Sequence, residues 1–187
     1  LLILNFRLIA SRLINNSIIT NKMSVVNRIK SLSIKQLFVL VRTFILKPLY
    51  FFPTHQATLQ TVQICNRLFQ KKHHKNNVTN AFRHALWNVL IAKRCYKINQ
   101  SVKKSVSWAK KITDLHEQLA PNSKLEMQMD LHNNYIGRVI FVEKMLHLEN
   151  AETIISVLKE KMETAVLITA TSEMVNHENE MVYIEEL

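Results

Sequence analysis

Gly137 is the only glycine in 187 residues, and only three prolines accompany it. Tight hairpin turns rely on Gly or Asn-Gly to reach positive φ, and no stretch here alternates cleanly with period two. A chain so poor in turn residues must connect its elements through helix ends. The expected class is all-α: a single bundle-like domain of five or six helices after Met23, with a basic, apolar N-terminal extension. Hydrophobic residues make up 48%, so a core is readily filled.

Charge is divided along the chain. No Asp or Glu precedes Asp114, so residues 1–113 hold 20 Lys and Arg without an acid, a formal +20. Residues 114–187 hold 5 Lys and Arg against 14 Asp and Glu, a formal −9. Two readings fit: an anionic partner for the first half, or two halves that pack on each other. An anionic membrane surface and a phosphate-bearing substrate are the partners this charge would suit. Nucleic acid is disfavoured, because aromatics are 7% and do not interleave with the basic residues as stacking platforms would. Cys65 and Cys95, without a CxxC pair, fit reduced thiols in a cytoplasmic core.

The chain reads in four segments. Residues 1–22 precede the first methionine, carry Arg7 and Arg12 and no acid, and read as upstream or targeting sequence. Residues 23–52 are basic and strongly apolar. Their uncharged runs are too short for the ~30 Å of a bilayer, which leaves a core helix or an amphipathic helix on a membrane surface. The second option would place the protein at the periphery of an inner membrane. Residues 53–170 form the helical domain, and 171–187 an acidic tail expected to fray. Helices are expected over 55–70, 80–96 (Thr79 as N-cap), 101–119, 125–148 and 151–170, with a start near Pro53-Thr54. The basic loop 71–77 is either a solvated connection or a rim that touches an anion.

Polar residues recur on three of these helices at spacings that place them on one face. Asn80, His84 and Asn88 follow i, i+4, i+8, with Arg83 at the edge. His116 falls within the apolar stripe of its helix, with Glu117 displaced by 100°. Asp130, Asn133, Asn134 and Gly137 share one face of the next helix. Asp and Asn are poor helix-interior residues, because their side chains compete for backbone hydrogen bonds. Facing helices that each bring such a patch can build a site in a bundle core. His84, His116 and Asp130 would suit a divalent metal ion, with Glu117 as general base. Without metal, His116–Asp130 or His84–Glu117 would form the acid–base pair. Asn80, Arg83, Asn133, Asn134 and Arg138 would bind substrate, the arginines through phosphate or carboxylate. The plainer reading is a hydrogen-bonded network that cross-links helices.

The blocks Asn80-Ala-Phe-Arg-His-Ala85, His116-Glu117 and Asp130-Leu-His-Asn-Asn-Tyr-Ile-Gly-Arg138 resemble a bacterial family known as a domain of unknown function, over about residues 76–140. The resemblance implies an all-helical fold, found also at the ends of larger secreted or toxin-like proteins, and a hydrolytic activity. It carries over onto Asn80, Arg83, His84, His116, Glu117, Asp130, Asn133, Asn134, Gly137 and Arg138. The leading expectation is a metal-assisted hydrolase acting on a phosphate-bearing or lipid substrate. The alternative is a non-catalytic, membrane-peripheral binding module whose polar cluster is structural.

Overall fold

A computed structural model of the chain describes residues 33–120, 122–144 and 150–185. The expectations for residues 1–22, and for 23–32 of the basic apolar segment, lie outside the described residues. Six α-helices are described: α1 Ile34–Ile45, α2 Phe51–Phe69, α3 Val78–Asn99, α4 Val102–Leu119, α5 Lys124–Lys144 and α6 Ala151–Glu163. Strands β1 (Val166–Leu167) and β2 (Val182–Tyr183) pair in parallel. The class is all-α, as the scarcity of turn residues predicts. The chain divides into two units, residues 1–43 and 44–187, and the packing below belongs to the second.

The helices begin where short polar side chains meet the first free N–H groups. Asn77 caps α3: its Oδ1 accepts from the Thr79 N–H at 3.0 Å and the Thr79 hydroxyl at 2.7 Å. Thr79, expected as the cap, therefore lies in the first turn, where its own N–H and hydroxyl donate to the Asn77 cap. Ser101 caps α4 and Asn150 caps α6. Pro53 stands third in α2, where its missing N–H has no helical acceptor to lose, so the helix starts two residues before the expected point.

α3 is the central helix and packs against α2, α4, α5 and α6. Phe82, Leu86, Val89 and Ile91 are fully buried along it. Two threonines one turn apart on α2 satisfy the indoles that cross this core. Trp108 Nε1 donates to Thr54 Oγ1 and Trp87 Nε1 to Thr58 Oγ1, both at 2.9 Å. The buried Trp108 ring and the half-buried Trp87 ring thus pack without stranding their N–H groups. Cys65 and Cys95 are free thiols in this core. Burial pushes both up to about 12, so they are chemically quiet.

α5 approaches α3 most closely at Gly137, which packs on the backbone of Ala85. The C-terminal residues depart from expectation. α6 ends at Glu163 rather than near 170, and the acidic tail is folded as far as residue 185 instead of frayed. Met181 and Val182 are fully buried. Asn133 fastens this segment: its Nδ2 donates to Val182 O at 2.8 Å, and its Oδ1 accepts from Val182 N at 3.0 Å. The amide side chain of α5 thus stands in for a neighbouring strand.

Candidate functional site

His84 lies at the centre of the polar contacts. It belongs to α3, between the two helices that carry carboxylates, and is almost wholly buried. Its Nε2 is 3.1 Å from Asp130 Oδ1 on α5, and its Nδ1 is 3.4 Å from Glu117 Oε1 on α4. Ligating atoms of His84, Glu117 and Asp130 all lie within 4.8 Å of one another. The sequence places all three helices correctly but exchanges two neighbours. Glu117 is buried, while His116 is exposed with its ring edge-on to Trp87 at 5.1 Å. The metal set expected from sequence, with His116 in it, is therefore not the set the fold assembles. The buried line on α4 runs Ser105, Ala109, Thr113, Glu117 at intervals of four. That ridge drifts around the helix by about 40° per step, so an average over the whole helix misplaces its last turn.

The tautomer of His84 follows from its neighbours. Arg83 Nη2, which can only donate, lies 2.8 Å from Nε2, so Nε2 accepts. The ring proton is then on Nδ1 and faces Asn134 Oδ1 at 3.3 Å. Asn134 Oδ1 also accepts from Asn88 Nδ2 at 2.7 Å, and Asn134 Nδ2 donates to Glu117 Oε1 at 2.9 Å. One amide on α5 thereby holds groups from α3 and α4 in register. Nε2 and Asp130 Oδ1 are left as two acceptors in contact, and Asp130 Oδ1 has no hydrogen-bond partner.

Burial shapes the electrostatics of the cluster. Burial raises the Asp130 carboxyl to about 6, against the lowering effect of His84. Burial also raises Glu117, offset by His116, Asn134 and Arg83. Burial lowers His84 to about 4, against the raising effect of Asp130, so the imidazole is neutral at pH 7. Two buried acids that hold protons more firmly than usual thus lie beside one neutral imidazole.

A cleft of about 300 Å³ lies beside this cluster and touches it at Glu117. α4 contributes Lys110, Asp114, Glu117 and Gln118, and α5 contributes Met127, Leu131 and Arg138. Glu117 is the one member of the buried trio that lines it. Arg138 donates to Asn88 Oδ1 at 3.0 Å and lies over the Tyr135 ring. Lys110 pairs with Asp114 one turn along. Of the residues expected to bind substrate, Arg138 lines the cleft and Asn134 organises the cluster. Arg83 is committed to His84 and to the His73 carbonyl, which accepts at 2.8 Å. Asn133 faces β2, and buried Asn80 donates to Asn76 at 3.4 Å. In the basic loop, His73 is buried and donates to Asn66 at 2.8 Å, so it is a packing residue rather than part of a rim. Sequence reasoning missed Lys110, Asp114 and Gln118. Their i, i+4, i+8 spacing marks the ridge beside the buried one and was visible in the chain.

The fold and the cluster define an all-helical domain with a buried His/Glu/Asp cluster beside a cleft. The chain belongs to the family described as a domain of unknown function, DUF6973, whose model matches residues 41–166. That span contains the three motif blocks and every residue of the cluster and the cleft. No curated protein and no solved structure matches the chain.

Proposed function

We propose that this domain is a hydrolase in which Glu117 acts as general base at the floor of the cleft between α4 and α5. The observation that carries the reading is that Glu117 belongs to two structures at once. It sits beside His84 and Asp130 in the buried cluster, and it lines the cleft between α4 and α5. Arg138 and Lys110 in the same cleft suit a phosphate or another anionic group. The apolar faces of Met127 and Leu131 suit the carbon skeleton of an ester.

The step is a proton shuttle. Glu117 takes a proton from a cleft water as that water's oxygen bonds to the phosphorus or carbonyl carbon. The same proton returns to the departing oxygen. His84 and Asp130 set how firmly Glu117 holds it, because a charge on either carboxyl is felt by the other through a low-dielectric interior.

The test is turnover of a panel of phosphomonoesters, phosphodiesters, phospholipids and carboxylic esters by the whole chain and by Glu117→Gln. The variant keeps shape and removes the base, so turnover should fall roughly 10²–10⁴-fold with the fold intact. Wild-type turnover in the variant would sink the reading.

The burial of His84, Glu117 and Asp130 also favours a second reading, a binding module whose polar cluster serves only to cross-link helices. The two part on stability. In a structural network Glu117→Gln weakens the fold; in a catalytic one it relieves a buried acid and leaves the fold as stable or more so.

A further inference from the structure

α1 turns its apolar side chains to solvent. At 100° per residue, Ile34, Leu37, Phe38, Val41 and Ile45 fall within an arc of about 100°. All five are exposed, Ile34 at 88%, Phe38 at 67% and Ile45 at 70%. Lys35 and Arg42 follow within about 60° of one edge of that arc, while Gln36 and Thr43 lie on the far side. Of the two readings left open by the sequence, a core helix and a surface helix, the exposure matches the second. An apolar stripe of this extent marks an interaction surface.

Charge narrows the choice of partner. The helix holds no acid, and none precedes Asp114 anywhere in the chain, whereas Lys22, Arg28, Lys30, Lys35, Arg42 and Lys47 bracket the stripe. A second copy of the helix would oppose cation to cation with no carboxylate between them. A surface of diffuse negative charge with an apolar layer beneath it matches both features. At twelve residues, about 18 Å, the helix is too short to cross the hydrocarbon, and among the described residues no single helix is long and apolar enough to do so.

We propose that α1 lies in the headgroup region of an anionic lipid bilayer, its stripe against the acyl chains and Lys35 and Arg42 reaching back to lipid phosphates. The long basic side chains lay their methylene stems on the apolar layer and keep their charge at the phosphates. This inference stands apart from the hydrolase reading and does not depend on it.

The test is co-sedimentation of the full chain with vesicles of phosphatidylcholine alone and of phosphatidylcholine doped with phosphatidylglycerol. Phe38→Asp/Val41→Asp interrupts the stripe, and Lys35→Glu/Arg42→Glu reverses its edge. Each pair changes exposed side chains, and circular dichroism checks that the fold is kept. Binding is expected only with the anionic vesicles, weakening with salt, and roughly tenfold or more weaker for either pair. Equal sedimentation with both vesicles, none with either, or unchanged binding by both variants would overturn the proposal. A wild-type dimer that Phe38→Asp/Val41→Asp converts to a monomer would also overturn it, assigning the stripe to a second copy.

Discussion

Gly137 and Ala85 meet backbone to backbone: a Cβ built on Gly137 would lie 2.3 Å from the Ala85 carbonyl oxygen and 2.7 Å from its Cα. No real Cβ approaches backbone so closely, and neither helix can turn a side chain aside. The contact sets the spacing of α3 and α5 one residue from His84 and one turn from Asn134. Gly137→Ala must part the helices. A destabilisation of about 1–3 kcal/mol or more is expected in urea unfolding, despite the better helix propensity of Ala. An unchanged midpoint would mean that the helices are not held this close.

Asp130 links stability to pH. Burial raises its carboxyl from 3.8 to about 6, so folding favours the protonated form. Its contribution is complete below pH 3.8 and is lost as pH rises through 6. His84 and His73, lowered to about 4 by burial, act in the opposite sense: their contribution is present above 6.5 and lost as pH falls through 4. Asp130→Asn removes the first effect and keeps the second. At pH 8 the variant should be more stable than wild type, on the order of 1–3 kcal/mol, and near pH 4 the difference should vanish. Melting curves at the two pH values decide it. A variant less stable at pH 8 would mean that ionised Asp130 supports the fold.

Asn133 is expected to matter for the C-terminal segment and not for chemistry. Asn133→Leu removes both bonds to the Val182 backbone and strands a buried N–H and C=O. The cost is about 2–4 kcal/mol. Limited proteolysis should cut residues 166–185 first and leave the helices whole. Cleavage spread evenly along the chain would show that the amide is no latch.

His116 and Glu117 separate the two faces of α4 in one experiment. His116→Ala removes an exposed ring from the side of Trp87 and should change turnover by no more than a few-fold. Glu117→Gln should abolish it. The reverse order would restore His116 to the site and remove Glu117.

The sequence and the structure agree where a pattern is local. One glycine and three prolines dictate helices, and the i, i+4 spacing of Asn80, His84 and Asn88 dictates which side of α3 carries the buried polar groups. Asp130, Asn133, Asn134 and Gly137 are all buried, as their shared face on α5 requires. Misplacement begins where a partner decides. Thr79 and Asn77 are both competent caps, and backbone geometry chose Asn77. His116 and Glu117 are 100° apart, and the drift of a ridge chose Glu117. Asn133 and Asn134 are equivalent in composition, yet one faces β2 and the other His84. Nothing in an acidic tail foretells that its Val182 finds an amide on α5. The cleft was hardest to see, since it exists only between Lys110, Asp114 and Gln118 on one helix and Leu131 and Arg138 on another.

Divalent ions give the last prediction. A zinc ion would hold ligand atoms at about 2.0–2.2 Å, which brings them within roughly 4.4 Å of one another. His84, Glu117 and Asp130 come near that spacing, one ligand atom from each lying within 4.8 Å of the others, but both nitrogens of His84 already have partners. Nδ1 carries the proton that faces Asn134, and Nε2 accepts from Arg83. An ion on Nε2 would have to displace a guanidinium that also holds the His73 carbonyl, and Arg83 would then be a buried cation beside it. Competition from the Arg83 guanidinium for Nε2 is the ground for expecting no tightly held ion. Dialysis against zinc or manganese followed by elemental mass spectrometry should leave less than one ion per chain, and a chelator should leave turnover unchanged. A stoichiometric ion that disappears in both His84→Ala and Asp130→Asn would recast the cluster as a metal centre. Arg83 would then be the residue to examine next, because its guanidinium would have to move for the ion to enter.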